Sequence, residues 1–121
     1  MKKVLVVDDS PVVRSFHINI LKTSGFIADD AIDGMDALEK SLKEDYDLIL
    51  CDINMPKMDG LTFIQRYREM EKETPVIILT TQEQEIQRNK GYAAGANLFI
   101  VKPVKPADLI LHIKLLMGGE Q

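Results

Sequence analysis

The sequence is poor in the residues that mark disulfide-bonded or membrane-spanning chains. It has a single cysteine, Cys51, and no tryptophan among its 121 residues. One cysteine cannot form a disulfide within the chain, so we expect a reducing, cytoplasmic setting in which Cys51 is a small buried apolar residue. The apolar start, MKKVLVV, ends at Asp8 and Asp9, far short of the length that a signal peptide or a membrane span needs.

An excess of positive charge is also absent. Lys and Arg number 15 against 19 Asp and Glu, which gives a formal net charge of -4. Nucleic-acid backbones are bound by clustered Lys and Arg, so this balance argues against direct nucleic-acid binding. No linker, repeat or low-complexity segment interrupts the chain, and its 45% hydrophobic content predicts one globular domain over residues 1–121.

Strand and helix patterns alternate five times along the chain. Short aliphatic runs bounded by polar residues are typical of parallel strands buried on both faces, and caps, prolines and glycines mark the helices between them. The strands are predicted at residues 4–7, 26–31, 46–51, after Pro75, and at 98–101. The helices are predicted from Pro11 to the stop at Gly25, and at 34–42, 60–70, 82–94 and 106–117. This alternation implies right-handed crossovers, and so an α/β fold with a doubly wound five-stranded parallel sheet of flavodoxin-like order 2-1-3-4-5.

Unusual polar residues stand where four of these strands end. Asp8 and Asp9 follow the first strand and Asp52 the third, while Thr80 and Lys102 close the fourth and fifth. Ligands of such sheets bind beyond the carboxyl ends of the strands, so we expect these side chains to meet at one edge. Close carboxylates raise one another's pKa unless a cation compensates, and oxygen ligands suit Mg²⁺, with Mn²⁺ as a substitute.

A metal beside a carboxylate nucleophile favours phosphoryl transfer. An aspartate can accept a phosphoryl group as an acyl phosphate, and the phosphoryl oxygens then need cationic and hydrogen-bonding partners. Lys102 would supply the charge and Thr80 a hydroxyl donor. Either residue alone would be an ordinary strand end, so the interpretation depends on their joint placement.

The motif segments resemble those of the CheY-like response-regulator receiver family. VLVVDDSPVVR, DLILCDINMPKMDGL, PVIILTT and GANLFIVKP are similar to its signature segments, in the family's order and over essentially the whole chain. The resemblance implies that Asp52 is the phosphoacceptor, that Asp9 binds Mg²⁺ directly and that Asp8 binds it largely through water. The backbone carbonyl of Asn54 is then the remaining protein ligand of the metal.

The same resemblance implies the moving parts of a switch. Thr80 and Phe99 correspond to the family's switch residues, and Lys102 to the lysine that pairs with the phosphoryl group. The peptide bond between Lys102 and Pro103 is expected to be cis. Some positions depart from the commonest pattern: Thr81 stands where Ala or Gly is frequent, Phe99 lacks a phenolic hydroxyl, and the residues flanking the pocket, Asn54 and Gln82, are neutral.

The function that follows from the resemblance is that of a two-component, chemotaxis-like signalling switch more than an enzyme. The domain would take a phosphoryl group from a histidine kinase or phosphotransfer protein, assist its own slow dephosphorylation, and change its affinity for a protein target. The target is expected on the face formed by the fourth helix, fifth strand and fifth helix. We expect a monomer or a weak, activation-dependent dimer, with no membrane partner.

Two other classes stay open at this point. A flavodoxin-like electron carrier needs a phosphate-binding loop rich in Ser, Thr and Gly after the first strand, and DDSPVVR would repel a flavin phosphate. An aspartate-based phosphatase of the haloacid dehalogenase type also forms an aspartyl phosphate, but Asn54 replaces its second aspartate. The chain also lacks room for the cap of that phosphatase class.

Two helices carry apolar residues that need an explanation. The apolar row of the first helix is Val13, Phe16, His17, Ile20 and Leu21. We expect His17 to lie at the edge of the core. In the last helix, Leu109, Ile113 and Leu116 form the inward stripe, whereas Leu111 and Leu115 lie on the opposite side as a candidate contact for a target or a second receiver.

Overall fold

Five strands and five helices alternate within residues 2–81 and 84–118, the part of the chain that this computed structural model describes. The strands are β1 (Lys3–Val7), β2 (Ile27–Ala31), β3 (Leu48–Cys51), β4 (Val76–Thr80) and β5 (Leu98–Val101). The helices are α1 (Pro11–Thr23), α2 (Gly34–Lys43), α3 (Gly60–Glu69), α4 (Glu85–Ala94) and α5 (Pro106–Leu116). Each predicted element is present, with ends that differ by no more than three residues; the predicted first residue of the fourth helix, Gln82, lies outside the described residues.

The strands form one parallel sheet in the order β2-β1-β3-β4-β5, so the predicted fold is confirmed. The register pairs Val7 with both Ala31 and Cys51, and Thr80 with Val101. β1, β2 and β3 therefore end at one level, while β4 and β5 end together two residues further on, because Cys51 pairs with Ile78. The residues that follow all five strands lie at the same edge of the sheet.

Apolar side chains cover both faces of the sheet. The central strands β3 and β4 are buried at every residue, which is why their sequences are continuous aliphatic runs. One core cluster lies beneath α2, α3 and α4, and the other lies beneath α1 and α5, where Leu109 and Ile113 are fully buried. None of the described helices is both long enough and apolar enough to cross a membrane.

The outward leucines of α5 are confirmed, but one residue of α1 is not where the apolar pattern places it. Leu111 and Leu115 are 55% and 63% exposed. On α1, His17 and Leu21 are buried, whereas Phe16 is 52% exposed. Phe16 instead lines a surface groove, because α1 turns only its narrow His17 face toward the sheet.

The loops at the carboxyl edge of the sheet are fixed by helix caps. The Ser10 hydroxyl accepts a hydrogen bond from the Val13 N–H, and the Asp59 carboxylate accepts one from the Thr62 N–H at 2.8 Å. Such caps satisfy N–H groups that have no partner within the helix. They therefore fix where α1 and α3 begin, after the loops that follow β1 and β3.

Candidate functional site

Three carboxylates converge beyond the ends of β1 and β3. One oxygen each from Asp8, Asp9 and Asp52 can be chosen so that all three lie within 4.8 Å of one another. Backbone hydrogen bonds set this geometry, since the Asp8 N–H donates to the Ala31 carbonyl at 3.1 Å and the Asp52 N–H donates to the Val7 carbonyl at 3.0 Å. Asp8 is buried, Asp52 is partly buried and Asp9 is exposed. A cluster of oxygen donors that is open on one side fits a hard divalent cation that keeps some of its water.

The lysine that directly follows β5 reaches the same cluster. The Lys102 ammonium lies 3.2 Å from Oδ2 of Asp8 and 3.5 Å from Oδ2 of Asp52. Its backbone N–H donates to the Thr80 carbonyl at 2.7 Å, and the peptide bond to Pro103 is cis, as expected. Three carboxylates face one ammonium here, so the cluster carries an excess of negative charge that a cation would compensate.

The environment of Asp52 makes its ionisation sensitive to its neighbours. Burial raises the pKa of Asp52 above its ordinary value, although the Lys102 ammonium acts in the opposite direction. The Ile53 N–H, which donates to Oδ1 of Asp52 at 2.7 Å, and a hydrogen bond with the Thr80 hydroxyl also lower the pKa, whereas the Asp8 carboxylate raises it. The carboxylate thus has the cationic and hydroxyl neighbours that a phosphoryl group needs.

Thr80 and Phe99 lie on neighbouring strands and are both buried. The α4 helix holds Phe99 in its inward position. The Tyr92 hydroxyl accepts a hydrogen bond from the Phe99 N–H at 3.2 Å, and the Arg88 guanidinium lies 4.9 Å from the centre of the Phe99 ring. Gly91 leaves room for the ring, since a Cβ at that position would lie 3.2 Å from the ring atom Cδ2.

The loop after β3 brings α3 directly against Asp52. The Gly60 N–H donates to the Ile53 carbonyl at 2.8 Å, and α3 begins at this glycine. Asn54 is exposed in the same loop, two residues beyond Asp52. Thr81 is exposed at the end of β4, and Gln82, expected to flank the pocket, lies outside the described residues.

Two residues of α1 belong to this neighbourhood and were missed as site residues in the sequence. His17 is buried, and burial together with the nearby Lys102 ammonium lowers its pKa, with the Asp8 carboxylate acting in the opposite direction. Arg14 donates from Nη1 to the Asp8 carbonyl at 2.8 Å. The apolar row placed His17 toward the sheet, but no sequence pattern indicated which strand end it would meet.

The strand order and the acidic edge are those of the CheY-like receiver class. The response regulator receiver domain model matches residues 4–114. The chain therefore belongs to that family, whose members are the receiver domains of two-component response regulators and accept phosphoryl groups from histidine kinases. This membership sets aside the flavodoxin-like electron carrier and the aspartate-based phosphatase.

Individual relatives agree with the family match. The transcriptional regulatory protein ResD of Bacillus subtilis is 39% identical over 115 residues, which are 95% of this chain and 48% of ResD. The chain thus spans about half the length of the curated relatives it matches. The chemotaxis protein CheY4 of Vibrio cholerae superposes with a TM-score of 0.91 at 36% identity, covering 96% of this chain and 98% of CheY4. TrrA of Thermotoga maritima, solved with Mg²⁺ and BeF, has a TM-score of 0.87 at 33% identity and covers 96% of this chain and 99% of its own.

Proposed function

We propose that Asp52 accepts a phosphoryl group from the phosphohistidine of a kinase or phosphotransfer protein, and that residues 1–121 act as one receiver domain. The observation that carries the proposal is the position of the Asp52 carboxylate, which lies within the acidic cluster and contacts both Lys102 and Thr80. Asp8 is buried more deeply, and Asp9 is exposed on the solvent side. Asp52 therefore combines access for a donor with partners for the transferred group.

The reaction is an in-line displacement at phosphorus. An Asp52 oxygen forms the new P–O bond while the P–N bond to the donor imidazole breaks, and the imidazole nitrogen keeps the electron pair of that bond. Lys102 then exchanges its contact with the carboxylate for one with a phosphoryl oxygen, and the Thr80 hydroxyl donates to another. Because the same groups remain in place afterwards, they also assist the slow attack of water that removes the phosphoryl group.

Mg²⁺ is the cofactor we propose, with Mn²⁺ as a substitute. When bound, the ion would neutralise the charge of the phosphoryl oxygens. Asp9 and Asp52 would hold it directly, Asp8 largely through water, and Asn54 through its backbone carbonyl. The oxygen-only donor set in the described residues supports this choice.

The test of the acceptor is the Asp52→Asn variant. We expect it to fold but to take no label from phosphorylated kinase or from acetyl phosphate with Mg²⁺. Asp45→Asn is the matched control. The Asp45 side chain is 94% exposed and lies before β3, at the amino end of the strands, so this variant should label like the wild type. Full labelling of Asp52→Asn would refute the assignment.

The test of the metal is a magnesium titration of thermal stability. A ligand that binds the native state at 100 times its Kd stabilises it by about 2.7 kcal/mol, so the melting temperature should rise with Mg²⁺. Asp9→Ala should reduce this rise more than Asp8→Ala. A wild-type melting temperature that is independent of Mg²⁺ would contradict the site.

The output we propose is a protein target on the face formed by α4, β5 and α5. Phosphorylation would bias an existing two-state equilibrium in which Thr80 and Phe99 move. Leu111 and Leu115 give that region an exposed apolar pair for a target or for a weak, activation-dependent dimer. The chain's own net negative charge favours a protein partner over nucleic acid, even where a relative such as ResD is named a transcriptional regulator. A cytoplasmic location, expected from the single free Cys51, is part of this proposal.

A further inference from the structure

One arginine contacts the backbone of the acidic cluster while its side chain is almost buried. Arg14, near the start of α1, is 15% exposed. Its Nη1 donates to the Asp8 carbonyl at 2.8 Å, and its Nε donates to Oδ2 of Asp30 at 3.1 Å. A guanidinium is a rigid planar fork, so two contacts made by different nitrogens fix its orientation.

The carbonyl that Arg14 contacts belongs to the peptide bond between Asp8 and Asp9. That bond is planar, so the direction of the carbonyl sets the position of the Asp9 nitrogen and Cα. The Asp9 side chain is exposed, and its place therefore depends chiefly on its own backbone. Holding the Asp8 carbonyl in place therefore fixes the position of the Asp9 Cα, from which the second carboxylate side chain extends.

The contacts of Arg14 extend through Asp30 to β2 and α2. Asp30 lies on β2 and accepts from Arg14, and the Lys40 ammonium of α2 lies 3.7 Å from its other carboxylate oxygen, Oδ1. Lys40 also donates to the Asp30 carbonyl. The backbone of Asp8 also contacts β2 directly, because the Asp8 N–H donates to the Ala31 carbonyl. Both polar groups of the Asp8 backbone are thus tied to the edge strand, one directly and one through Arg14.

We propose that Arg14 is a positioning residue for the metal site. It holds the peptide between Asp8 and Asp9 so that both carboxylates converge with Asp52. The inference rests on the proposed function, in which these acids hold Mg²⁺. It adds to the site a residue that is not among the proposed ligands of the metal or of the phosphoryl group.

Arg14 could instead affect the site through its charge alone. The two roles predict opposite changes in Mg²⁺ affinity when Arg14 is replaced. A guanidinium near a divalent cation repels it, so removing only a charge would tighten Mg²⁺ binding. Removing a contact that positions the Asp8–Asp9 peptide would weaken Mg²⁺ binding, because the carboxylates would lose their fixed geometry. Groups that orient metal ligands typically contribute about 10-fold to 100-fold to metal affinity, and we expect about tenfold for a contact made to a ligand's backbone.

The experiment is a Mg²⁺ titration by isothermal calorimetry on the purified chain. Arg14→Gln should bind Mg²⁺ about tenfold more weakly than the wild type. Arg14→Lys keeps the charge but cannot make both contacts, so it should also bind more weakly, though by less. Arg66→Gln is the matched control, because Arg66 is exposed in the last turn of α3 and its loss changes the net charge equally. Circular dichroism at the titration temperature checks that each variant is folded.

Several outcomes would overturn the inference. Unchanged Mg²⁺ binding by Arg14→Gln would leave Arg14 without a role at the site, and tighter binding would leave it with a charge effect only. If Arg14→Gln does not fold, the Arg14→Lys variant is the test instead. Wild-type Mg²⁺ affinity in Arg14→Lys would then refute the positioning role of Arg14. A wild type that binds no Mg²⁺ overturns both this inference and the proposed cofactor. Intact Mg²⁺ binding without labelling of Asp52 would count against the proposed function alone.

Discussion

Gly60 is the residue whose replacement should test most directly how the site is packed. A Cβ at this position would lie 1.9 Å from the Asp52 carbonyl oxygen, 3.0 Å from the Asp52 carbonyl carbon and 3.1 Å from the Cys51 Sγ. Two of these three atoms are backbone, so no side-chain rotation relieves the contact. The first turn of α3 and the Asp52 peptide must therefore move apart by roughly 1 Å or more.

Two opposing effects set the size of the change in Gly60→Ala. Alanine is favoured over glycine inside a helix by up to about 1 kcal/mol, and less at a first helical position. Overpacking a tight contact costs about 1–3 kcal/mol, and a backbone contact at 1.9 Å belongs at the upper end. The clash therefore wins, and we expect the free energy of unfolding to fall by about 2 kcal/mol.

Urea unfolding of Gly60→Ala beside Gly25→Ala checks this expectation. Gly25 has a φ of 93° and nothing within 4 Å of its missing Cβ, so alanine there adds backbone strain without a clash and should cost about 1 kcal/mol. Mg²⁺ affinity should fall in Gly60→Ala only, because the displaced peptide belongs to Asp52. If Gly60→Ala were as stable as the wild type, or lost no more than Gly25→Ala, the packing inferred for this loop would be wrong.

Three further changes address signalling, the outward face of α5 and the buried histidine. Thr80→Ala should still be phosphorylated, but NMR shifts around Phe99 should respond little to beryllofluoride; a full response would refute the coupling role. Replacing Leu111 and Leu115 with Asp should weaken target binding, measured by pull-down, or activation-dependent association, measured by light scattering. Stability should change little, because both side chains are more than half exposed. Wild-type binding by the double variant would leave the pair without a role. His17 has a lowered pKa in the folded state, so the unfolded chain takes up the proton first and stability should fall as the pH drops below about 6.5, the ordinary pKa of histidine. Urea unfolding between pH 7.5 and about 5 should show a shallower loss in His17→Gln, and identical pH profiles would contradict the assignment.

Most of the fold could be predicted because the central strands must be apolar on both faces. β3 and β4 are continuous aliphatic runs for that reason, and the residues after them mark the edge of the sheet. β2 was harder, since this edge strand contains Asp29 and Asp30 and begins one residue later than predicted. Phe16 was assigned to the inward row of α1 because spacing shows which residues share a helix face but not how wide the buried face is.

The carboxylates and Lys102 could be expected together because parallel strands deliver their ends to one edge. Their contacts are seen in the structure, and the roles assigned to them stay predictions. Arg14 and Arg88 could not be placed from the sequence, since a long side chain on a helix can reach several strands. Which backbone oxygen or aromatic ring it meets depends on the tertiary packing of α1 and α4.

The bridge from Lys102 to both Asp8 and Asp52 has a consequence for the domain before any ion arrives. The Lys102 ammonium is an internal counter-ion that offsets the mutual repulsion of the two least exposed acids. A bound cation would compete with the Lys102 ammonium for these two carboxylates. Replacing Lys102 with a neutral residue would therefore make the stability of the domain depend more strongly on a bound cation.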